Sequence, residues 1–255
     1  MTRETQMAGD RAAPVGGDGA EYSFWREHTH INLSPVAAPS ILGLAGLAVS
    51  TFMVAANLAG WFGDGTTTPL LLAPFAFAFG GVAQFLAGMW SYRARDALAT
   101  VVHGTWGAFW LGYGVYQLFV GLGGLPSTTA SPVAAAAIGF WFVGLAAITW
   151  TGALAALAES LVLCALLTVL AAGSTLMAIG LIADAGVMRT IAAYFLLGSA
   201  VLAWYACSAM VLEAAHHRVV LPMGLRAPRA ARTTTVPWHQ AIQFDHGEPG
   251  IKAGQ

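Results

Sequence analysis

The sequence predicts an all-α, polytopic membrane protein built as a bundle of six transmembrane helices. Hydrophobic residues make up 57% of the 255 residues, whereas Asp, Glu, Lys and Arg together make up only 9%. A soluble domain carries about 25% charged residues, because its surface must face water. The remaining charges lie mostly near the two ends of the chain and between apolar runs. A chain of this composition needs an apolar solvent around most of its surface.

Six apolar runs are long enough to cross a bilayer, because a hydrocarbon core of about 30 Å requires about 20 helical residues. Turn-forming residues separate the runs, notably Gly63-Asp64-Gly65 and Gly123-Gly124. The join between the fourth and fifth runs is the least marked, since only Glu159 and Ser160 interrupt it. The predicted spans are residues 40–62, 70–91, 98–121, 133–155, 161–183 and 188–213.

Polar segments flank the spans. Residues 1–36 are charged and rich in Gly and Ala, without the apolar core of a signal peptide, and predict a disordered tail. Residues 225–255 predict a second tail, which leaves 37–224 as the transmembrane domain. Of the eleven Lys and Arg residues, Arg189 alone falls on the side opposite the tails. Positive segments stay inside, so we expect a multi-pass protein of the plasma (inner) membrane with both termini cytoplasmic.

Several classes of function find no support in the residues. The net charge of −1 argues against a nucleic-acid partner. Cys164 and Cys207 lie within apolar runs, as small buried hydrophobes do. The sequence has no zinc-ligand spacing, phosphate-binding loop or nucleophile elbow, and no histidine pair at mid-membrane depth. We therefore expect no catalytic residue, no metal, no cofactor and no enzymatic activity.

A few polar residues and glycines lie inside the predicted spans. Asn57, Gln84 and His103 are the notable polar ones, and such residues usually face a cavity or the bundle interior. A lone histidine is more often a packing residue than a proton carrier, and both readings stay open for His103. The pair Gly80-Gly81 weakens its helix by roughly 1 kcal/mol per glycine, which is tolerated beside a cavity or a close helix. We expect glycines to bring helices together at Gly43, Gly46, Gly80, Gly88, Gly104, Gly107, Gly139 and Gly144.

Four motifs, in order and at matching spacing, carry a resemblance to a known family. They are Ala38-Pro39-Ser40-Ile41-Leu42-Gly43-Leu44, Phe79-Gly80-Gly81-Val82-Ala83-Gln84-Phe85-Leu86-Ala87-Gly88, Tyr92-Arg93 with Gly107-Ala108-Phe109-Trp110, and Arg218-Val219-Val220-Leu221-Pro222-Met223-Gly224. Through them residues 36–224 resemble the acetate uptake transporters, also called succinate–acetate permeases. The opening motif departs from the family form, which has Asn where Ala38 stands and Pro where Ile41 stands.

The resemblance implies a homohexameric ring of six-helix protomers in the lipid bilayer. Each protomer would hold its own pathway for a small carboxylate such as acetate or succinate. The resemblance also implies an apolar constriction at Leu47, Trp106 and Leu170, where the family typically has Phe for Leu47 and Tyr for Trp106. The candidate substrate-binding residues are Pro39, Ser40, Leu42, Asn57, Gln84 and Thr105.

Two residues are candidates for coupling transport to protons. His103 stands where the family usually has Phe, and Glu213 lies three residues after Met210, the position of the family's embedded Glu. The expected function is transport of acetate and related short carboxylates, as a channel or as a proton-coupled carrier. Two alternatives stay open. One is a membrane assembly subunit that does not transport, which the altered opening motif suggests, and the other is a channel for a different small solute such as ammonium.

Overall fold

The computed structural model describes residues 37–225, and the predictions for the two tails fall outside this range or at its edge. Within it the chain is almost entirely helical, with short connections between long helices. The helices are α1 Ser40–Leu58, α2 Thr67–Arg93, α3 Ala97–Gly121, α4 Pro132–Ala156, α5 Leu161–Ile182 and α6 Gly186–His216.

Polar side chains start three of these helices. Asp96, Ser131 and Ser160 accept hydrogen bonds from the backbone N–H groups of residues 99, 134 and 163, at 2.8, 3.3 and 3.4 Å. Each bond satisfies an N–H that has no partner in the first helical turn. The cap at Ser160 confirms the least marked of the predicted breaks, the one between the fourth and fifth spans.

The first helix is shorter than predicted. It ends at Leu58, and Gly60 follows with φ of +78°, so the prediction that this span runs to residue 62 is wrong. Trp61 lies in the loop and packs its ring edge-on against Phe52, with ring centroids 6.2 Å apart. Hydropathy alone cannot separate an apolar residue that folds back as a loop from one that continues the helix.

The six helices form a closed ring. Each packs against the next along the chain, and α6 returns to pack on α1. Short connections make consecutive helices antiparallel. The bundle therefore has a terminal face, with residues 37–39, 94–96, 157–160 and 217–225, and an opposite face, with residues 59–66, 122–131 and 183–185. An antiparallel bridge between Ser160 and Leu225 joins two segments of the terminal face.

The outside of the bundle is apolar, as a bilayer requires. Large hydrophobic side chains are exposed around the ring, among them Leu71, Phe75, Trp141, Leu154 and Trp204. Five helices are long and apolar enough to cross a membrane. The sixth, α3, has 25 residues but is less hydrophobic, because it carries His, Gln, Tyr and several glycines. It connects antiparallel neighbours and spans the same two faces, so the six-helix prediction is confirmed.

Glycine allows α2 and α3 to approach closely. A Cβ at Gly88 would lie 2.6 Å from the backbone N of Gly104, and one at Gly107 would lie 2.6 Å from that of Phe85. Neither position has room for any side chain, as predicted. The prediction is wrong for Gly144, around which nothing lies within 4 Å.

The second helix changes its winding at the predicted weak point. Residues Ala76–Ala83 form a π-helical segment between two α-helical ones. In it Gly80 lies against the Trp110 ring and Gly81 against Leu111, so both glycines meet α3. A π segment holds more residues per turn than an α-helix and is frequent at functional sites. The residue that follows it, Gln84, is fully buried inside the bundle.

Candidate functional site

A cavity of about 510 Å³, here called the large cavity, opens toward the opposite face. Residues 60, 62–65 and 127–129 of the connecting loops line its mouth. Thr51 and Val54 of α1, Trp106 of α3 and Met177 of α5 line it deeper in the bundle. Its volume falls within the range of pockets that bind small molecules.

Aromatic rings form one wall of the large cavity. Trp106, Phe109, Trp110 and Tyr113 follow one another along a single face of α3, and Phe142 joins them from α4. Neighbouring ring centroids lie 5.4 to 5.8 Å apart. Such contacts favour fixed edge-to-face and stacked arrangements, so the wall is apolar and well ordered.

Several polar groups near the mouth are held by neighbouring residues. Gln117 donates from Nε2 to the Tyr113 hydroxyl at 2.8 Å, and Tyr116 donates its hydroxyl proton to a backbone carbonyl at 2.8 Å. Asn57, a predicted substrate contact, lines the cavity at the end of α1. Its Nδ2 donates to the carbonyl oxygen of Phe62 at 2.8 Å, so this amide also fixes the loop.

Asp64 places a fixed negative charge at the mouth. The backbone N–H of Thr67, followed by the hydroxyl and N–H of Thr66, holds the pKa of this carboxyl at about 2. The hydrogen bonds lie between 2.5 and 2.9 Å and favour the ionised form. Among the described residues that line the large cavity, Asp64 is the only carboxylate, and there is no Lys, Arg or His.

A second, much smaller cavity of about 40 Å³ lies toward the terminal face. It has room for about one water molecule, whose share of liquid volume is about 30 Å³. Most of its wall is aliphatic, from α1, α3 and α5. Four polar residues also line this small cavity: Ser40, Asp96, His103 and Glu159.

The predicted constriction residues are Leu47, Trp106 and Leu170. All three are 0–1% exposed and belong to one buried cluster. Leu47 lines the small cavity and Trp106 the large one. Along α5, Leu170 lies between Leu167, which lines the small cavity, and Met177, which lines the large one. These three residues, here called the apolar layer, belong to the buried core of the bundle beside the two cavities.

A hydrogen bond fixes the largest side chain of this layer. The indole Nε1 of Trp106 donates to Thr149 Oγ1 of α4 at 3.0 Å. The Thr149 hydroxyl in turn donates to the Leu145 carbonyl at 2.6 Å. These hydrogen bonds are buried and join α3 to α4, so they hold the indole of Trp106 in one orientation.

Buried polar atoms without partners are concentrated near the layer. Among the described residues they are Ser50 Oγ, Thr51 Oγ1, both amide atoms of Gln84, His103 Nδ1 and Trp110 Nε1. Such atoms are rare in folded proteins, and each calls for a functional or structural reason. These atoms lie where α1 packs against α2 and α3. A Cβ at Gly46 would lie 3.4 Å from Gln84 Cβ, and one at Gly80 would lie 2.8 Å from Ser50 Oγ.

The structure does not bring every predicted residue to this junction. Ser40 lines the small cavity, whereas Pro39, Leu42, Thr105 and Glu213 line neither cavity. Leu42 is 49% exposed and points out of the protomer. The Thr105 hydroxyl donates to the Val101 carbonyl of its own helix at 2.7 Å. Glu213 is partly exposed near the terminal end of α6.

Sequence reasoning missed the aromatic wall and the polar atoms of α1. Phe109, Trp110 and Tyr113 carried a usable signal, because they recur three or four residues apart after Trp106 and so share a helix face. Ser50 and Thr51 carried none, since single hydroxyl residues are common in membrane helices and usually bond to their own backbone.

Comparison with known proteins agrees with this architecture. The bacterial acetate channel SatP has a similar solved structure, with a TM-score of 0.67 and 26% identity over 74% of this chain and 100% of that chain. Ammonia transport outward protein 2 of Saccharomyces cerevisiae is 27% identical over 66% of this chain and 59% of its own length. Acetate permease A of Emericella nidulans is 30% identical over 31% of this chain and 26% of its own.

The family assignment rests on the larger match. The model of the GPR1/FUN34/yaaH family matches residues 23–225, which include all six helices. The chain spans about a quarter to three-fifths of the length of these curated relatives. The chain belongs to the GPR1/FUN34/yaaH family, and the predicted membership of the acetate transporter family is confirmed.

Proposed function

We propose that this GPR1/FUN34/yaaH protein carries acetate and related short carboxylates, such as succinate, across a membrane. The observation that supports this most is the pair of cavities inside a single ring of helices, one toward each face. The similarity to an acetate channel and to an acetate permease supports acetate as the substrate. The route would run through the large cavity, past Leu47, Trp106 and Leu170, to the small cavity.

The energetics allow either the anion or the neutral acid to cross the layer. Protonating a carboxylate of pKa about 4.3 at pH 7 costs about 3.7 kcal/mol. Placing a charge at the membrane centre costs about 2.5–3.5 kcal/mol on insertion scales. The two costs are close, so the polar atoms beside the layer decide between the species. The unpaired amide of Gln84 and the hydroxyl of Ser50 favour a route on which a carboxylate or carboxylic acid forms hydrogen bonds.

Uptake of radiolabelled acetate into proteoliposomes tests the proposal, with empty liposomes as the blank. We expect uptake well above the blank that unlabelled acetate and succinate reduce. Leu47→Ala should change the rate, because it shortens a fully buried side chain of the layer. Leu154→Ala is the matched control, since this leucine is 68% exposed on α4. An unchanged rate in Leu47→Ala would exclude the constriction, and no uptake by an intact oligomer would favour an assembly subunit.

Membrane placement and assembly form a second part of the proposal. The charge distribution favours the plasma (inner) membrane with both termini cytoplasmic. A homohexameric ring agrees with the family resemblance and with the many apolar side chains exposed on the protomer. Native mass spectrometry of the detergent-purified protein should give six copies, and labelling of single cysteines in intact cells should find both ends inside. A monomer, or an end labelled from outside, would refute the corresponding part.

Ammonium is a second candidate substrate, supported by a specific feature of the large cavity. Faces of Trp, Tyr and Phe attract cations, and this cavity combines such rings with Asp64 and no basic side chain among its described residues. The similarity to an ammonia transport protein of yeast agrees with this reading. Methylammonium and acetate fluxes measured in the same proteoliposomes separate the two substrates. Methylammonium flux without acetate flux would replace the main proposal.

A further inference from the structure

His103 is the buried titratable residue nearest the apolar layer. It precedes Trp106 by one helical turn on α3 and is 3% exposed. The imidazole lies directly against Gly43 of α1, where a Cβ would be 2.5 Å from Nδ1 and 2.6 Å from Cγ. Glycine at this position is therefore what allows the ring to lie between α1 and α3.

The ring has one nitrogen with no partner. Nδ1 is buried and forms no hydrogen bond, whereas the imidazole as a whole lines the small cavity. A histidine that only fills space would be expected to have its buried nitrogen paired, because unpaired buried polar atoms are destabilising. An unpaired imidazole beside a space the size of a water molecule is placed to exchange a proton with a water molecule or a carboxyl group that enters this space.

The surroundings of the ring define where such a proton can go. The titratable groups that share the small cavity with it are Asp96, at the start of its own helix, and Glu159, from the connection before α5. Both lie at the terminal face. The helices α1 and α5 contribute aliphatic side chains and the Ser40 hydroxyl to this cavity. The small cavity thus leads from the imidazole toward two carboxylates and the solvent.

We propose that His103 exchanges a proton with the carboxyl group that crosses the layer, which makes it the coupling residue of this chain. The inference rests on the proposed carboxylate transport. The neutral acid crosses between Leu47 and Trp106, its O–H bond breaks and an N–H bond forms on the imidazole. The carboxylate leaves at the terminal face, and the imidazolium then loses the same proton to water, which regenerates the neutral ring. Transport in the other direction follows the reverse steps.

The role of His103 is tested with two substitutions, each measured with a pH gradient and with a membrane potential as the driving force. His103→Gln keeps a polar side chain that cannot take up a proton, and His103→Phe restores the residue that the resembling family usually has. Acetate uptake into proteoliposomes is driven either by a pH gradient at clamped membrane potential or by a membrane potential without a pH gradient. An internal pH dye follows the proton in the same samples. His216→Gln, at the exposed end of α6, is the matched control.

For the unaltered protein and His216→Gln, we expect one proton to enter with each acetate, and no response to membrane potential. In both His103 variants, uptake driven by the pH gradient should fall about 100-fold or more, the lower end of the range for removal of an acid–base group. The remaining uptake should respond to membrane potential. Gly43→Ala should reproduce part of this loss, because its methyl group displaces the ring.

The outcomes separate this inference from the proposed function. Acetate uptake with the same proton stoichiometry in all variants would overturn the role of His103 and leave the transport proposal standing. Uptake by the unaltered protein that follows membrane potential and ignores the pH gradient would do the same. No acetate uptake by the unaltered protein would remove both proposals. Helical circular dichroism and the oligomer's elution volume establish that each variant is folded.

Discussion

The two cavities differ in size, lining and placement, although they lie along the same helices. The large cavity, of about 510 Å³, is walled by aromatic rings and opens between the loops of the opposite face. The small cavity, of about 40 Å³, is walled by leucines and lies beneath polar residues of the terminal face. A substrate can occupy the first as the structure stands, whereas the second must widen before it admits acetate.

The difference bears on the proposed constriction. The large cavity reaches Trp106 from the opposite face, whereas a space of only about 40 Å³ lies beside Leu47 on the terminal side. The unpaired polar atoms are also distributed between the two cavities. Those of Trp110 and Thr51 lie on the side of the large cavity, that of His103 lies on the side of the small one, and Gln84 lies close to the layer.

The largest effect is expected from Trp106→Ala, which removes the largest side chain of the layer. Loss of a buried tryptophan costs about 3–5 kcal/mol in soluble proteins, so thermal stability should fall clearly. We also expect faster flux and weaker discrimination by size, tested with carboxylates longer than succinate. Each reduction of the barrier by about 1.4 kcal/mol would make flux tenfold faster.

Two further variants distinguish the effect of the volume of the Trp106 side chain from the effect of its orientation. Thr149→Val removes the acceptor of the Trp106 indole but leaves the ring in place, so it should have a smaller effect on both flux and stability. Trp141→Ala removes a tryptophan that is 68% exposed and should leave selectivity unchanged. Equal discrimination by size in Trp106→Ala and in the unaltered protein would mean that the layer does not divide the route.

Gln84→Leu should have the next largest effect on flux, but without loss of stability. Both amide atoms are buried without partners, so an apolar side chain of similar volume removes an unfavourable burial. A hydrogen bond to a charged group contributes about 1.5–3 kcal/mol, so flux should fall roughly 10- to 100-fold if the amide meets the carboxylate. Acetate flux and melting temperature are measured on the same preparation.

The control for this change is Gln117→Leu. That amide already donates to Tyr113, nearer the mouth of the large cavity, so its loss should lower stability more than flux. A melting temperature that falls in Gln84→Leu while flux stays constant would assign Gln84 a packing role.

Much of the fold was predictable from local chemistry. Six apolar runs and the turn residues between them predicted the helices, and Ser160 capped the one break that hydropathy barely marked. The end of α1 was not predictable from hydropathy, because Trp61 is apolar and yet packs from the loop onto Phe52. The glycine pair predicted a disturbance in α2, but its form as a π segment depends on contacts with α3.

Less of the site could be predicted, because it depends on which way side chains point. The resemblance alone suggested Leu47, Trp106 and Leu170, which are all buried in the hydrophobic core of the bundle. It also suggested Leu42 and Thr105, but Leu42 faces outward and Thr105 bonds to its own helix. The empty volumes beside the layer arise from the packing of several helices. No single segment of the sequence carries that information.

The smallest effect is expected at the mouth of the large cavity, from Asp64→Asn. Asparagine keeps an oxygen that can accept from Thr66 and Thr67 but removes the negative charge. An anion should then enter more readily, and methylammonium less readily. Both changes should stay below about fivefold at low salt and vanish at high salt, because the group is exposed and screened. Initial rates of both solutes at low and high ionic strength measure them.

The pH dependence of this difference follows from the same carboxylate. Its folded pKa of about 2 lies below its usual 3.8, so the ionised form stabilises the folded loop above pH 3.8. That stabilisation is lost progressively as the pH falls from 3.8 through about 2. The rate difference between Asp64→Asn and the unaltered protein for methylammonium, whose charge does not change in this range, should therefore be constant from neutral pH down to about pH 4. A difference that titrated near neutral pH would point to a group other than Asp64.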